Sequence, residues 1–228
     1  MKKHIVCLGD SNTHGYCADP KDTADGGVRF NEEERWTCLL QKQLGDAYLV
    51  TEEGLGGRTT VFKDPIHEDM DALSVLNPIL KSHEFVDLLV IMLGTNDTKE
   101  RLNASAPVIS KGMELLVRKA YGIDCWGGKC PNVLIVAPPS IKEGFCDPYM
   151  GEGCIEKSRE LAKWYQVVAA QLGCHFLDAE GCEFNSIDFM HLTRRGHAQL
   201  AERLAERIPA LLGSHRTLKR SRKEFGRF

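Results

Sequence analysis

The chain has 228 residues, 43% of them hydrophobic and 27% charged, enough for one sizeable core and too apolar for wholesale disorder. Its net charge of −3 gives no reason to expect nucleic acid or an anionic membrane as the main partner. No apolar run approaches the roughly 18 residues of a membrane span, and the run at residues 5–8 is too short for a signal-peptide core.

In chain order, residues 4–8 (His4-Ile5-Val6-Cys7-Leu8) are a continuous apolar run that predicts a buried strand, broken by Gly9-Asp10-Ser11. Residues 32–44 place Trp36, Leu39, Leu40 and Leu44 at helical spacing. A second strand is predicted over 47–51, leading into the glycine-rich Glu53-Gly54-Leu55-Gly56-Gly57-Arg58-Thr59-Thr60. A helical piece over 74–80 precedes a third strand over 86–93, which closes on Gly94-Thr95-Asn96-Asp97. A helix over 113–121, a strand over 132–137, a helix over 155–172, a strand over 174–177 and a helix over 193–212 complete the pattern. Alternating strands and helices predict βαβ units: an α/β fold with a five-stranded parallel sheet in a three-layer α/β/α sandwich. One domain is expected over 1–213. Residues 214–228, with Arg216, Lys219, Arg220, Arg222, Lys223 and Arg227, are expected to be a flexible, solvated basic tail rather than a nucleic-acid arm.

Ligands in such sheets bind beyond the carboxyl ends of the strands, where Ser11 and Asn96 fall. A serine hydroxyl is a weak nucleophile until a positioned base takes its proton, and that base needs an orienting group. Asp188-Phe189-Met190-His191 contains both. Two intervening residues let a turn bring the Asp188 carboxylate onto His191, leaving the second ring nitrogen for Ser11. Singly, each piece has a plainer explanation: Ser after a strand commonly caps a helix, and Asp near His is commonplace. Together, in the order Ser, Asp, His, they point to nucleophilic hydrolysis. Asn96 is a neutral donor that can hold an oxyanion without adding a competing base. Gly57 is a candidate third donor through its unobstructed N–H, although a plain glycine turn explains that loop equally well.

His14 and His197 are rival bases. His14 is expected to shape the pocket wall, and His197 to be a surface or capping residue of the last helix. No His-Glu-x-x-His occurs, and Cys125–Cys130 has no second cysteine pair at finger spacing, so a metal is not expected. Neither a phosphate loop nor Gly-x-Gly-x-x-Gly follows any strand, which disfavours a nucleotide or flavin enzyme, and no cofactor is expected. The nine cysteines, an odd number, are expected to be reduced thiols, which points to the cytoplasm.

Gly9-Asp10-Ser11, the glycine loop ending at Gly57, Gly94-x-Asn96-Asp97 and Asp188-x-x-His191 follow the order of the four blocks of the SGNH (GDSL) hydrolases, which the chain resembles from residue 9 to 191. Glu34-Arg35-Trp36, Gly57-Arg58-Thr59-Thr60 and Ile91-Met92-Leu93-Gly94-Thr95-Asn96-Asp97-Thr98-Lys99 resemble the arylesterase/acyltransferase branch. The resemblance implies a flavodoxin-like sandwich and metal-free ester hydrolysis through an acyl-serine. It implies a triad of Ser11, Asp188 and His191, and an oxyanion hole built from the Ser11 N–H, the Gly57 N–H and the Asn96 side chain. It further implies small, acetyl-type ester substrates, acyl transfer to alcohols, carbohydrate O-deacetylation as an alternative use of the site, and homo-oligomerisation. Asn12 stands where the namesake motif has Leu and is expected to alter the pocket lip. Gly56 replaces a small polar residue of close relatives and is expected to loosen its loop. Tyr16, Trp36 and Phe62 could wall a small acyl pocket, although aromatics near loops are as often core. The expected partner is a small-molecule ester, with no nucleic acid and no membrane. A non-catalytic binding domain of the same fold is the rival; the complete Ser/Gly/Asn/Asp/His set argues against it.

Overall fold

Strands β1 (Lys3–Gly9), β2 (Tyr48–Gly54), β3 (Leu88–Met92), β4 (Val133–Ala137) and β5 (His175–Asp178) pair in parallel, in the order β2-β1-β3-β4-β5. This is a computed structural model, and it describes residues 1–213. The basic tail expected over 214–228 lies outside the described residues. The helices are α1 (Ser11–His14), α2 (Trp36–Leu44), α3 (Ala72–Ser82), α4 (Ala106–Gly122), α5 (Cys154–Leu172) and α6 (Arg194–Gly213).

Every residue of β3 and β4 is buried, as expected of central parallel strands with helices over both faces. Alternate side chains serve opposite cores. Val6, Leu8, Leu89, Ile91, Val133 and Ile135 pack with residues of α3, α4 and α5. Ile5, Cys7, Leu88, Val90, Leu134 and Val136 pack with Trp36 and Leu40 of α2 and with Leu200, Leu204 and Ile208 of α6. The result is the expected three-layer α/β/α sandwich with the flavodoxin-like strand order. That order reverses direction between β1 and β3, so the crevice at their carboxyl ends is the natural ligand site.

Several boundaries differ from expectation for identifiable reasons. The helix expected over 32–44 begins only at Trp36, because Glu34 turns back to accept the N–H groups of Ala24 (2.8 Å) and Asn31 (3.2 Å). The helix expected over 113–121 starts at Ala106. Pro107 sits in its first turn, where a missing N–H costs no helical bond. Strand β2 runs on to Gly54 through two carboxylates that disguise it. Glu52 is matched by Arg35 and Glu53 by His83, at 2.7 and 2.6 Å. Among the described residues, no helix is long and apolar enough to cross a membrane.

Candidate active site

Ser11 opens α1 directly after β1, across a turn too tight for any residue but glycine at position 9. A Cβ there would lie 1.9 Å from Thr13 Oγ1. Asp10 caps this short turn by accepting the Asn12 N–H at 3.0 Å. Burial pushes the Asp10 carboxyl up to about 6, against the Asn12 N–H and the charges of His191 and Arg58. The Ser11 hydroxyl lies 2.8 Å from His191 Nε2, and His191 Nδ1 lies 2.7 Å from Asp188 Oδ2. Two segments 180 positions apart in the chain therefore form one hydrogen-bonded line.

Asp188 is itself held. Its second oxygen accepts the N–H groups of Met190 (3.1 Å) and His191 (3.2 Å) and the Asn185 side-chain amide (2.9 Å). Burial opposes its charge, yet the bonds from His191, Met190 and Asn185 outweigh burial and keep the carboxyl below its ordinary value. An ionised Asp188 accepting from Nδ1–H leaves Nε2 as the acceptor for the serine proton. Asn185 carries no motif of its own. Its only signal in the sequence is that Asn readily forms an Asx turn: its Oδ1 accepts the Ile187 N–H at 2.8 Å and the Asp188 N–H at 2.9 Å.

Asn96 begins a single turn of 3₁₀ helix just beyond β3. Its buried Nδ2 has no partner among the described residues, an unsatisfied donor that calls for an acceptor from a ligand. Gly94 makes the approach to this turn possible, with φ +126° and Tyr165 Oη 2.3 Å from where a Cβ would stand. The glycine loop after β2 lies beside the serine: a Cβ on Gly56 would sit 4.0 Å from Ser11 Cβ. Gly57 adopts φ +84°, and neither its N–H nor that of Ser11 has an acceptor among the described residues. Three unspent donors thus sit on the loops that leave β1, β2 and β3.

The remaining candidates separate. Tyr16 lies at the site, 38% exposed, its ring tilted over His191 with centroids 4.6 Å apart. Trp36 and Asn12 do not line a pocket, since each is 1% exposed. Trp36 belongs to the core between α2 and α6, and its indole N–H donates to the Asn12 carbonyl at 3.1 Å. Asn12 spends its side chain on the backbone of Met190 and Leu192 instead of on the pocket lip. Phe62 is half-buried and packs toward Gly112 of α4. His197 is not the surface residue expected of it. It is fully buried, accepts the Trp36 N–H on Nδ1 at 3.2 Å, and meets Phe30 edge-on. Burial, with the nearby charges of His191 and Arg35, lowers its pKa to about 3, so it is neutral and already engaged. His14 closes α1, half-buried, and burial followed by the Arg29 charge lowers its pKa.

The sequence model of the GDSL-like lipase/acylhydrolase family matches residues 7–209. Among solved structures, an aryl esterase from M. smegmatis is 35% identical with a TM-score of 0.83, over 92% of this chain and 99% of that one. Est24, a carbohydrate acetylesterase from Sinorhizobium meliloti, is 34% identical with a TM-score of 0.83, over 92% of this chain and all of that one. A lipolytic G-D-S-L family protein from Veillonella parvula, 17% identical with a TM-score of 0.65, shares the fold. No curated protein matches the chain. The family match over most of the chain, together with a serine, a histidine and an aspartate in hydrogen-bonded line, leads to one conclusion: the chain belongs to the GDSL-like lipase/acylhydrolase family and is an ester-bond hydrolase.

Proposed function

We propose that the chain is a serine esterase for small, acetyl-type esters that works through an acyl-serine, with transfer to alcohols as a second outcome. The observation that carries this reading is the line Ser11–His191–Asp188, at 2.8 and 2.7 Å. His191 takes the Ser11 proton as Oγ attacks the ester carbonyl. The tetrahedral oxyanion accepts from the N–H groups of Ser11 and Gly57 and from Asn96 Nδ2, groups without other partners among the described residues. His191 then protonates the departing alcohol while ionised Asp188 stabilises the imidazolium. Water attacks the acyl-serine by the same route in reverse, and a second alcohol in its place gives transfer. Tyr16 over the imidazole covers one side of this relay. Likeness to the S. meliloti carbohydrate acetylesterase supports a second reading of the same site, removal of acetyl groups from sugars.

The test compares p-nitrophenyl acetate, butyrate and octanoate and an acetylated monosaccharide, with wild type and Ser11→Ala in chelator. Turnover that disappears in Ser11→Ala and declines with chain length supports the proposal. Equal rates for the two proteins would overturn it. Preference for the sugar ester over the aryl ester selects the second reading.

A further inference from the structure

We propose that Asn12 is a positioning residue for the His191 base, an inference that rests on the roles given above to Ser11 and His191. Asn12 follows the nucleophile in the chain, and its side-chain amide brackets the base. Its Nδ2 donates to the Met190 carbonyl at 3.2 Å, and its Oδ1 accepts the Leu192 N–H at 2.9 Å. The amide therefore pairs with the peptide groups on both sides of His191, as a neighbouring strand would. Among the described residues, these two bonds and the Ser11–His191 bond are the only hydrogen bonds joining the α1 turn to the His191 loop.

Asn12 is rigid enough for the task. Its N–H donates to Asp10 at 3.0 Å, and its carbonyl accepts from the Trp36 indole at 3.1 Å. The loop needs holding, because Phe189 adopts φ +62°, a region disfavoured for any residue with a Cβ. Within the loop itself Asn185 donates to Asp188 Oδ1 and to the His191 carbonyl, each at 2.9 Å, and the Lys142 N–H donates to the Phe189 carbonyl at 3.0 Å. Asn12 references the backbone on either side of the base to the turn that carries the nucleophile. The role requires a donor and an acceptor on one short planar group. Leucine supplies neither and strands two buried peptide groups.

The experiment measures p-nitrophenyl acetate kinetics for wild type, Ser11→Ala, Asn12→Leu and Asn12→Asp across pH. Asn12→Leu should lower kcat about a hundredfold, with KM within about twofold, because the loss is in alignment rather than substrate binding. In Asn12→Asp the ionised carboxylate still accepts from Leu192 but cannot donate to Met190. The neutral acid restores that donor. The ratio of Asp-variant to wild-type kcat should therefore rise as pH falls. Asp10, Asp188, His191, His197 and Arg35 surround this segment, and a carboxylate at position 12 would favour the protonated His191, which by itself lowers the ratio as pH falls, opposite to the expected rise. A side chain that only packs would alter stability without raising that ratio. A pH-independent ratio, or wild-type kcat in Asn12→Leu, overturns the positioning role, and the ratio decides the matter if Asn12→Leu fails to fold. Turnover lost in Ser11→Ala but kept in Asn12→Leu removes the role of Asn12 alone. Turnover kept in Ser11→Ala removes the roles of Ser11 and Asn12 together.

Discussion

Asp97 accepts the Thr60 N–H with both carboxylate oxygens, at 2.9 and 3.1 Å, and the Thr60 hydroxyl as well. Through this contact the loop carrying Gly57 is fastened to the turn carrying Asn96, so two of the unspent donors share one brace. Burial pushes the Asp97 carboxyl up to about 6, against the bonds from Thr60, so the brace is kept at some cost to its own ionisation. Asp97→Ala should lose about 3 kcal/mol of stability by stranding two buried donors, measured by urea unfolding. Asp97→Asn, which retains one acceptor oxygen, should lose less.

Asn96→Ala removes a buried donor that has no partner among the described residues. Turnover of p-nitrophenyl acetate should fall about 100- to 1000-fold with KM little changed, because the bond forms to charge that develops only in the transition state. Steady-state kinetics at saturating substrate check this. A loss confined to KM would place Asn96 in ground-state binding instead.

Asp188→Asn keeps the shape of the loop but offers Nδ1 of His191 an amide. The tautomer with Nε2 free to accept is no longer favoured, and kcat should drop on the order of 10⁴-fold. Thermal melting alongside the kinetics separates this from unfolding: a small shift in Tm with a large loss of kcat is the expected pair.

His197 links pH to stability. Its pKa in the folded chain is about 3 against an ordinary 6.5, because burial disfavours the charged ring. Between those values the unfolded chain binds the extra proton, so folded-state stability from this group is complete above pH 6.5 and declines as pH falls. The stability difference between wild type and His197→Gln, which keeps an acceptor for the Trp36 N–H, should shrink by up to about 1 kcal/mol per pH unit below pH 6.5. Urea unfolding at a series of pH values measures it. A constant difference would mean that His197 is not carrying this linkage.

What the sequence alone determined was whatever depends on neighbours in the chain. Apolar runs such as Val133–Ala137 are strands because every side chain in them must be buried, and that composition is visible without a structure. The same holds for Gly9-Asp10-Ser11 at the end of β1 and for the Asp188-x-x-His191 spacing, which sets the 2.7 Å bond within one turn. The tertiary structure decided everything that joins distant segments. Glu52 and Glu53 looked like the end of a strand until Arg35 and His83 paired with them from elsewhere. His197 looked like a surface or capping residue and Trp36 like a pocket wall or a packing residue until packing of α6 on α2 buried both and paired them. Asn12 looked like a residue of the pocket lip, and its partners lie 178 and 180 positions away. Periodicity and spacing report local geometry, whereas burial and hydrogen-bond partnership are properties of the assembled fold.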